Sequence, residues 1–251
     1  MTAIGGAGRE PGAMAPVAPI PPWRRCIANV ATALAILVRP PRIHPRLPWV
    51  SLRQLAVATA ITVVVLVLGM AFIDTPLSHA AQRLPRWVIS FFNNITDYGK
   101  SGWFLWPIGI VFLLLAALPP VLPRFAQGVL AAIMVRVGFL FTAIALPGLF
   151  VTTVKRMIGR ARPPVTGGSN PFDFMPFIWR ADFASFPSGH STTAFSVLVA
   201  FGTLWPRTRT IALVYALTIA ASRIIVTAHY PTDVLAGAIV GTVGALMVRR
   251  W

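Results

Sequence analysis

Residues 55–73, LAVATAITVVVLVLGMAFI, are nineteen consecutive residues without a charge. As a helix they are about 28 Å long, enough to cross a bilayer core of about 30 Å. Further apolar runs follow at about 103–122, with Pro119 and Pro120 near its end, and at 128–154, which contains Arg136. Shorter ones follow at 191–205, 211–226 and 234–248, rich in Ala, Gly, Ser and Thr. Small residues let helices approach closely, as in a packed bundle. The pattern predicts an all-α integral membrane bundle of six transmembrane helices.

Composition supports lipid as the solvent. The 251 residues are 56% hydrophobic and 11% charged, with a mean hydropathy of +0.74. A soluble domain carries about 25% charged residues. The net charge of +16 raises the question of nucleic acid. The basic residues, however, fall between apolar spans and form no continuous basic face, which excludes that partner and fits basic residues that orient a membrane protein. The single cysteine, Cys26, excludes an intramolecular disulfide and a cysteine metal cluster.

The distribution of charge gives an orientation. Arg9, Arg24, Arg25, Arg39, Arg42, Arg46 and Arg53 precede the first long run, and Arg124, then Arg207 and Arg209, then Arg249 and Arg250 fall on the same side. By the positive-inside rule both termini are cytoplasmic. The opposite side has one loop with Arg83, Arg86 and Lys100 offset by Asp74 and Asp97. Its other long loop, 155–190, is basic and breaks the rule, so it needs a separate explanation.

That loop begins KRMIGRARPP and closes with FPSGHSTTAF. Lys155 and Arg162 are seven apart and would share a helix face if the helix persisted to Pro163. Ser188 and Gly189 form a turn opening a helix, with His190 at its mouth; unpaired N–H groups and the dipole make such an end an anion site. Between the last two runs lies SRIIVTAHYPTD, residues 222–233, with Arg223, His229 and Asp233. The topology brings all three segments to one membrane face. Cations and N–H groups there suit the oxygens of a phosphoryl group. Two histidines suit in-line displacement, one as nucleophile and one as acid. Asp233, four residues after His229, is within reach if Pro231 starts a helix, and would fix the imidazole tautomer.

The pattern Lys155-x6-Arg162-Pro163, Pro187-Ser188-Gly189-His190, Ser222-Arg223-x5-His229-x3-Asp233 resembles the signature of the type 2 phosphatidic acid phosphatase superfamily, matching at all eleven positions. Each block alone has a duller reading, as a charged helix end, an ordinary turn or a chance His-x3-Asp; three ordered blocks together do not. The resemblance implies that Lys155, Arg162, Arg223, Ser188 and the Gly189 amide bind phosphate. It implies that His229 attacks phosphorus, Asp233 orients it, and His190 protonates the leaving oxygen and then activates water. It also implies no metal and no other cofactor.

The expected organisation is a disordered cytoplasmic tail at 1–22, a basic interfacial segment with a short helix at 23–53, and a six-span phosphatase domain at 54–251. The apolar stretch 26–38 is about 20 Å as a helix, too short to span. The expected substrate is a membrane lipid phosphate: polyprenyl diphosphate, phosphatidic acid, phosphatidylglycerophosphate or lipid A. The expected location is a bacterial inner membrane with the site facing the periplasm. The rival readings are a lipid phosphotransferase and a non-catalytic anion-binding protein; the related vanadate haloperoxidases are soluble, unlike this chain. Arg136 reads as a structural or snorkelling charge, and His44 and His79 as interfacial and loop residues. The aromatic stretch 170–183 reads as lining a headgroup's route.

Overall fold

A computed structural model describes residues 21–38, 51–117 and 124–250, which are helical with loops and turns between. The helices are α1 Pro22–Val38, α2 Leu52–Phe72, α3 Asp74–Gln82, α4 Arg86–Thr96, α5 Gly102–Ala117, α6 Arg124–Ile158, α7 Pro163–Thr166, α8 Gly189–Leu204, α9 Arg209–Ile225 and α10 Pro231–Arg250. The tail expected at 1–22 lies almost wholly outside the described residues, as does His44. Residues 74–102, expected as a loop, instead hold α3, α4 and a 3-10 turn at Asp97–Gly99.

Helix α2 starts with a capping box: Ser51 Oγ accepts from the Gln54 N–H (3.2 Å) and Gln54 Oε1 from the Ser51 N–H (2.8 Å). It is apolar all round, and Leu55, Val57, Ile61, Val64 and Leu68 are exposed, which suits a helix facing lipid. Five stretches of the described residues are long and apolar enough to cross a membrane: Leu52–Phe72, Arg86–Ala117, Phe125–Ile158, Pro206–Ile225 and Pro231–Arg250. The remaining run expected to span is α8, whose 16 residues make it shorter than these.

Helix α8 is nevertheless the hub of the bundle, packed against α6, α9 and α10. Its closest partner is α10, and the sequence Gly237-Ala-Ile-Val-Gly241 explains the approach. A Cβ at Gly237 would collide with the Ser188 carbonyl, and one at Gly241 with the Thr192 carbonyl. Ser196 Oγ donates across this contact to the Gly241 carbonyl (3.2 Å). Apolar side chains, mostly alanines, continue the core, with Ala194, Ala216 and Ile219 on the α9 side and Leu140, Ala143, Ala200 and Ala245 on the α6 and α10 side. This packing fixes the N-termini of α8 and α10 beside each other.

Candidate active site

The first block does not form one long helix. Helix α6 ends at Ile158, and Gly159 turns the chain at φ +65°, where a Cβ would also collide with the Met175 carbonyl. Arg162 then sits on extended backbone (φ −81°, ψ 155°) as the residue preceding α7. Lys155 and Arg162 therefore do not share a helix face, contrary to the sequence expectation. The turn is clamped by the loop that follows it. Met175 N–H donates to the Gly159 carbonyl (2.7 Å), Ala161 N–H to that of Asp173 (2.9 Å) and Arg162 N–H to that of Asp182 (2.8 Å). Lys155 and Arg162 remain close enough for each charge to act on the other, and Arg156 and Arg223 are within the same reach.

The second block opens α8. Ser188 precedes the helix with extended backbone (φ −70°, ψ 117°), and its side chain makes no cap to the first turn. Its own N–H donates to the Asp233 carbonyl (2.9 Å), and its hydroxyl accepts from Ser191 Oγ (3.2 Å). Lys155 Nζ stands 3.4 Å from where a Cβ on Gly189 would be, so the lysine lies over the helix N-terminus. His190 is half-buried against Gly99 and feels the charges of Arg223, His229 and Lys155.

In the third block Arg223 is buried in the last turn of α9, and its Nη1 donates to Thr96 Oγ1 (2.6 Å). Its Nε, and that of Arg162, are buried without a hydrogen-bond partner among the described residues. Burial also depresses the Arg162 guanidinium below its ordinary value. Buried polar groups are nearly always paired, so two unpartnered cationic donors in one place point to an anion as their partner.

A turn with Thr227 at φ +53° delivers His229, whose N–H donates to the Arg223 carbonyl (3.2 Å). Helix α10 begins at Pro231, as the His-x3-Asp spacing requires. Asp233 Oδ2 accepts from the Tyr230 N–H (2.9 Å) and from Ser185 Oγ (2.5 Å), and lies 3.6 Å from His229 Nδ1. That distance is too long for a hydrogen bond. Ser185 Oγ is itself 3.5 Å from Nδ1. Burial pushes the His229 imidazole down to about 4, partly offset by Asp233.

The three blocks thus converge, and five further residues join them that no motif position names: Thr96, Ser185, Thr232, Arg160 and Asp74. Arg160 is fully buried. It donates from Nη1 to Asp233 Oδ1 (2.5 Å) and Thr232 Oγ1 (2.8 Å), from Nη2 to Asp74 Oδ2 (2.7 Å) and from Nε to the Pro171 carbonyl (2.9 Å). Asp74, read from sequence as a loop charge, is fully buried here. Its one sequence signal is its place directly after the first apolar run. Arg136 takes no part in the site; it is exposed and donates to the Ala132 carbonyl one turn back (3.0 Å). His79 lies on α3 with Nε2 3.4 Å from Ser169 Oγ.

Comparison with known proteins gives the family of the chain. The PAP2 superfamily model matches residues 136–251. Lipid A 1-phosphatase of Rhizobium etli is 36% identical over 179 residues, covering 70% of this chain and 76% of that protein. Lipid A 1-phosphatase of Rhizobium johnstonii is 34% identical over 178 residues, covering 70% and 72%. Two crystal structures share the fold. LpxE of Aquifex aeolicus has a TM-score of 0.51 at 22% identity, covering 71% of this chain and 96% of its own. A transmembrane PAP2 type phosphatidylglycerolphosphate phosphatase from Bacillus subtilis has a TM-score of 0.50 at 23% identity, covering 90% and 94%. The chain belongs to the PAP2 superfamily, in its membrane lipid phosphatase branch.

Proposed function

We propose that the protein hydrolyses the terminal phosphate of a membrane lipid through a phosphohistidine, at the periplasmic face of a bacterial inner membrane, without a metal. The observation that carries the reading is the pair of buried, unpartnered Nε donors of Arg162 and Arg223 beside two histidines. Lys155, Arg162, Arg223, Ser188 and the Gly189 N–H bind the phosphoryl oxygens, where charge develops in the transition state. His229 keeps its Nδ1 toward Asp233 and attacks phosphorus through Nε2. Burial and the neighbouring cations push the His190 imidazole down to about 3; the phosphoryl anion offsets those cations, and the bond to the leaving oxygen breaks as protonated His190 gives that oxygen a proton. His190 then takes a proton from water, which attacks phosphorus and frees inorganic phosphate and neutral His229. Low burial-shifted basicity in His229 keeps the nucleophile unprotonated at neutral pH.

The substrate is an amphiphile, because the site lies at helix ends beside exposed Phe172, Phe174, Met175, Phe177 and Trp179. Likeness to the Rhizobium enzymes named lipid A 1-phosphatases favours a lipid A type 1-phosphate among the four candidate classes. The test is phosphate release by purified protein in detergent from lipid A, phosphatidic acid, phosphatidylglycerophosphate and polyprenyl diphosphate, with and without EDTA. The reading expects fastest release from lipid A, unchanged by EDTA. His229→Ala should release nothing and form no acid-labile phosphoenzyme. Normal turnover by that variant would sink the mechanism.

A further inference from the structure

Two carboxylates and one guanidinium are buried together beneath His229, and the sequence motif accounts for only one of them. Gly159 turns the chain so that Arg160 points away from the phosphoryl cluster and under α10. Its planar head lies 4.6 Å from the Tyr230 ring centroid and 5.9 Å from that of Phe174. Asp74 meets it from the start of α3. Asp74 Oδ1 accepts from the Thr232 N–H (3.0 Å), and Oδ2 from Thr232 Oγ1 (2.5 Å) and Arg160 Nη2. Both Asp74 oxygens accept, as those of a carboxylate do, while burial raises the carboxyl and the Thr232 and Arg160 hydrogen bonds oppose that rise. Every carboxylate oxygen in the cluster has a donor, and two carboxylates around one guanidinium carry one net negative charge.

We infer that Arg160 and Asp74 are positioning residues for the reaction, holding the Asp233 carboxylate so that Oδ2 faces His229 and giving the cluster the net negative charge that favours an imidazolium there. The inference rests on the phosphohistidine reading above. When His229 Nε2 bonds to phosphorus and the bond to the leaving oxygen breaks, the ring keeps its Nδ1 proton and becomes cationic. That charge exists in the transition state and intermediate but not in the resting enzyme. A buried negative cluster therefore stabilises the transition state more than the ground state. Arg160 prevents the two carboxylates from repelling each other and holds Oδ1 of Asp233, so that Oδ2 is the oxygen presented to Ser185 and His229. Without Asp74 the cluster would be neutral.

A rival account makes Asp74 only a cap for the first turn of α10 through Thr232. The variants Asp74→Asn and Asp74→Glu separate the two. Asn keeps the size and an acceptor for the Thr232 N–H but loses the charge; Glu keeps the charge and strains the packing. With phosphatidic acid or lipid A in detergent micelles, Asp74→Asn should lower kcat about tenfold or more, with KM within about twofold. Asp74→Glu should retain more kcat than Asp74→Asn. Arg160→Lys, which cannot fork to both carboxylates, should also lower kcat with little change in KM. The inference is overturned by Asp74→Asn matching or exceeding Asp74→Glu, by an effect confined to KM, or by loss of helicity in Asp74→Asn. His229→Ala in the same assay separates the two levels. If it is active the mechanism itself fails, and if it is dead while Asp74→Asn is normal only the positioning role fails.

Discussion

Asp233 Oδ2 lies 3.6 Å from His229 Nδ1, and Ser185 Oγ fills the corner between them, 2.5 Å from the carboxylate oxygen and 3.5 Å from the ring nitrogen. The carboxylate of the His-x3-Asp pair is therefore not held by the histidine. It is held by the Tyr230 N–H, Ser185 and Arg160, and the imidazole is placed against an acceptor already fixed.

Ser185→Ala should lower kcat about tenfold, the worth of one hydrogen bond to a charged group, with KM little changed. The bundle should keep its helicity, since Ser185 sits in a loop. Steady-state kinetics with a lipid phosphate check this. A wild-type kcat would mean that the backbone amide and Arg160 align Asp233 unaided.

The His229 ring should titrate near 4, well below an ordinary imidazole. Between that value and about 6.5 the unfolded chain binds the proton and the folded one does not. His229's contribution to stability is thus full above about pH 6.5 and is lost as pH falls through this window toward 4. Histidine-labelled protein in detergent, followed by NMR, gives the midpoint. Asp233→Asn should move it lower still, because Asp233 is the group that pulls it up. A midpoint near 6.5 would mean that the ring is hydrated.

Thr96→Val removes the acceptor of Arg223 Nη1 and leaves a second unpartnered donor on a buried guanidinium. Arg223 should then lose its fixed position over the phosphoryl site. Inhibition by vanadate, which mimics the pentacoordinate state, should weaken about tenfold. An unchanged inhibition constant would show that α9 alone sets the position of Arg223.

Gly159→Ala should destabilise the protein by about 1–3 kcal/mol from the positive φ alone, with more from the collision with the Met175 carbonyl. Because this turn separates Lys155 from Arg160 and Arg162, activity should fall more steeply than stability. Thermal melts and turnover measured on the same preparation provide the comparison. Wild-type values for both would contradict the turn's role.

Much of the candidate site was legible because the chemistry proposed for it is carried by residue types at short spacings. The Lys155, Arg162, Ser188, Gly189, His190, Arg223, His229 and Asp233 positions stand in three ordered blocks, and the fold brings those blocks together. The start of α10 at Pro231 was legible for a local reason, since a proline at the first helical position loses no hydrogen bond. The end of α6 was not. Seven residues from Lys155 to Arg162 look helical until the Met175 carbonyl occupies the space where residue 159 would carry a Cβ.

Hydrophobic run length determined from the sequence alone that this is a helical membrane bundle, because a lipid solvent demands long uncharged helices. The identities of the motif residues determined its family. Only the tertiary structure decided which charges are buried and with whom. Arg160 is one of 20 arginines, and Asp74 stands 86 residues away from it along the chain. Nothing local distinguishes that pair from solvated surface charges. Their ion pair exists because the close contact of α8 and α10 through Gly237 and Gly241 and the turn at Gly159 leave one dry space beneath His229. A charge in such a space is stable only with a partner.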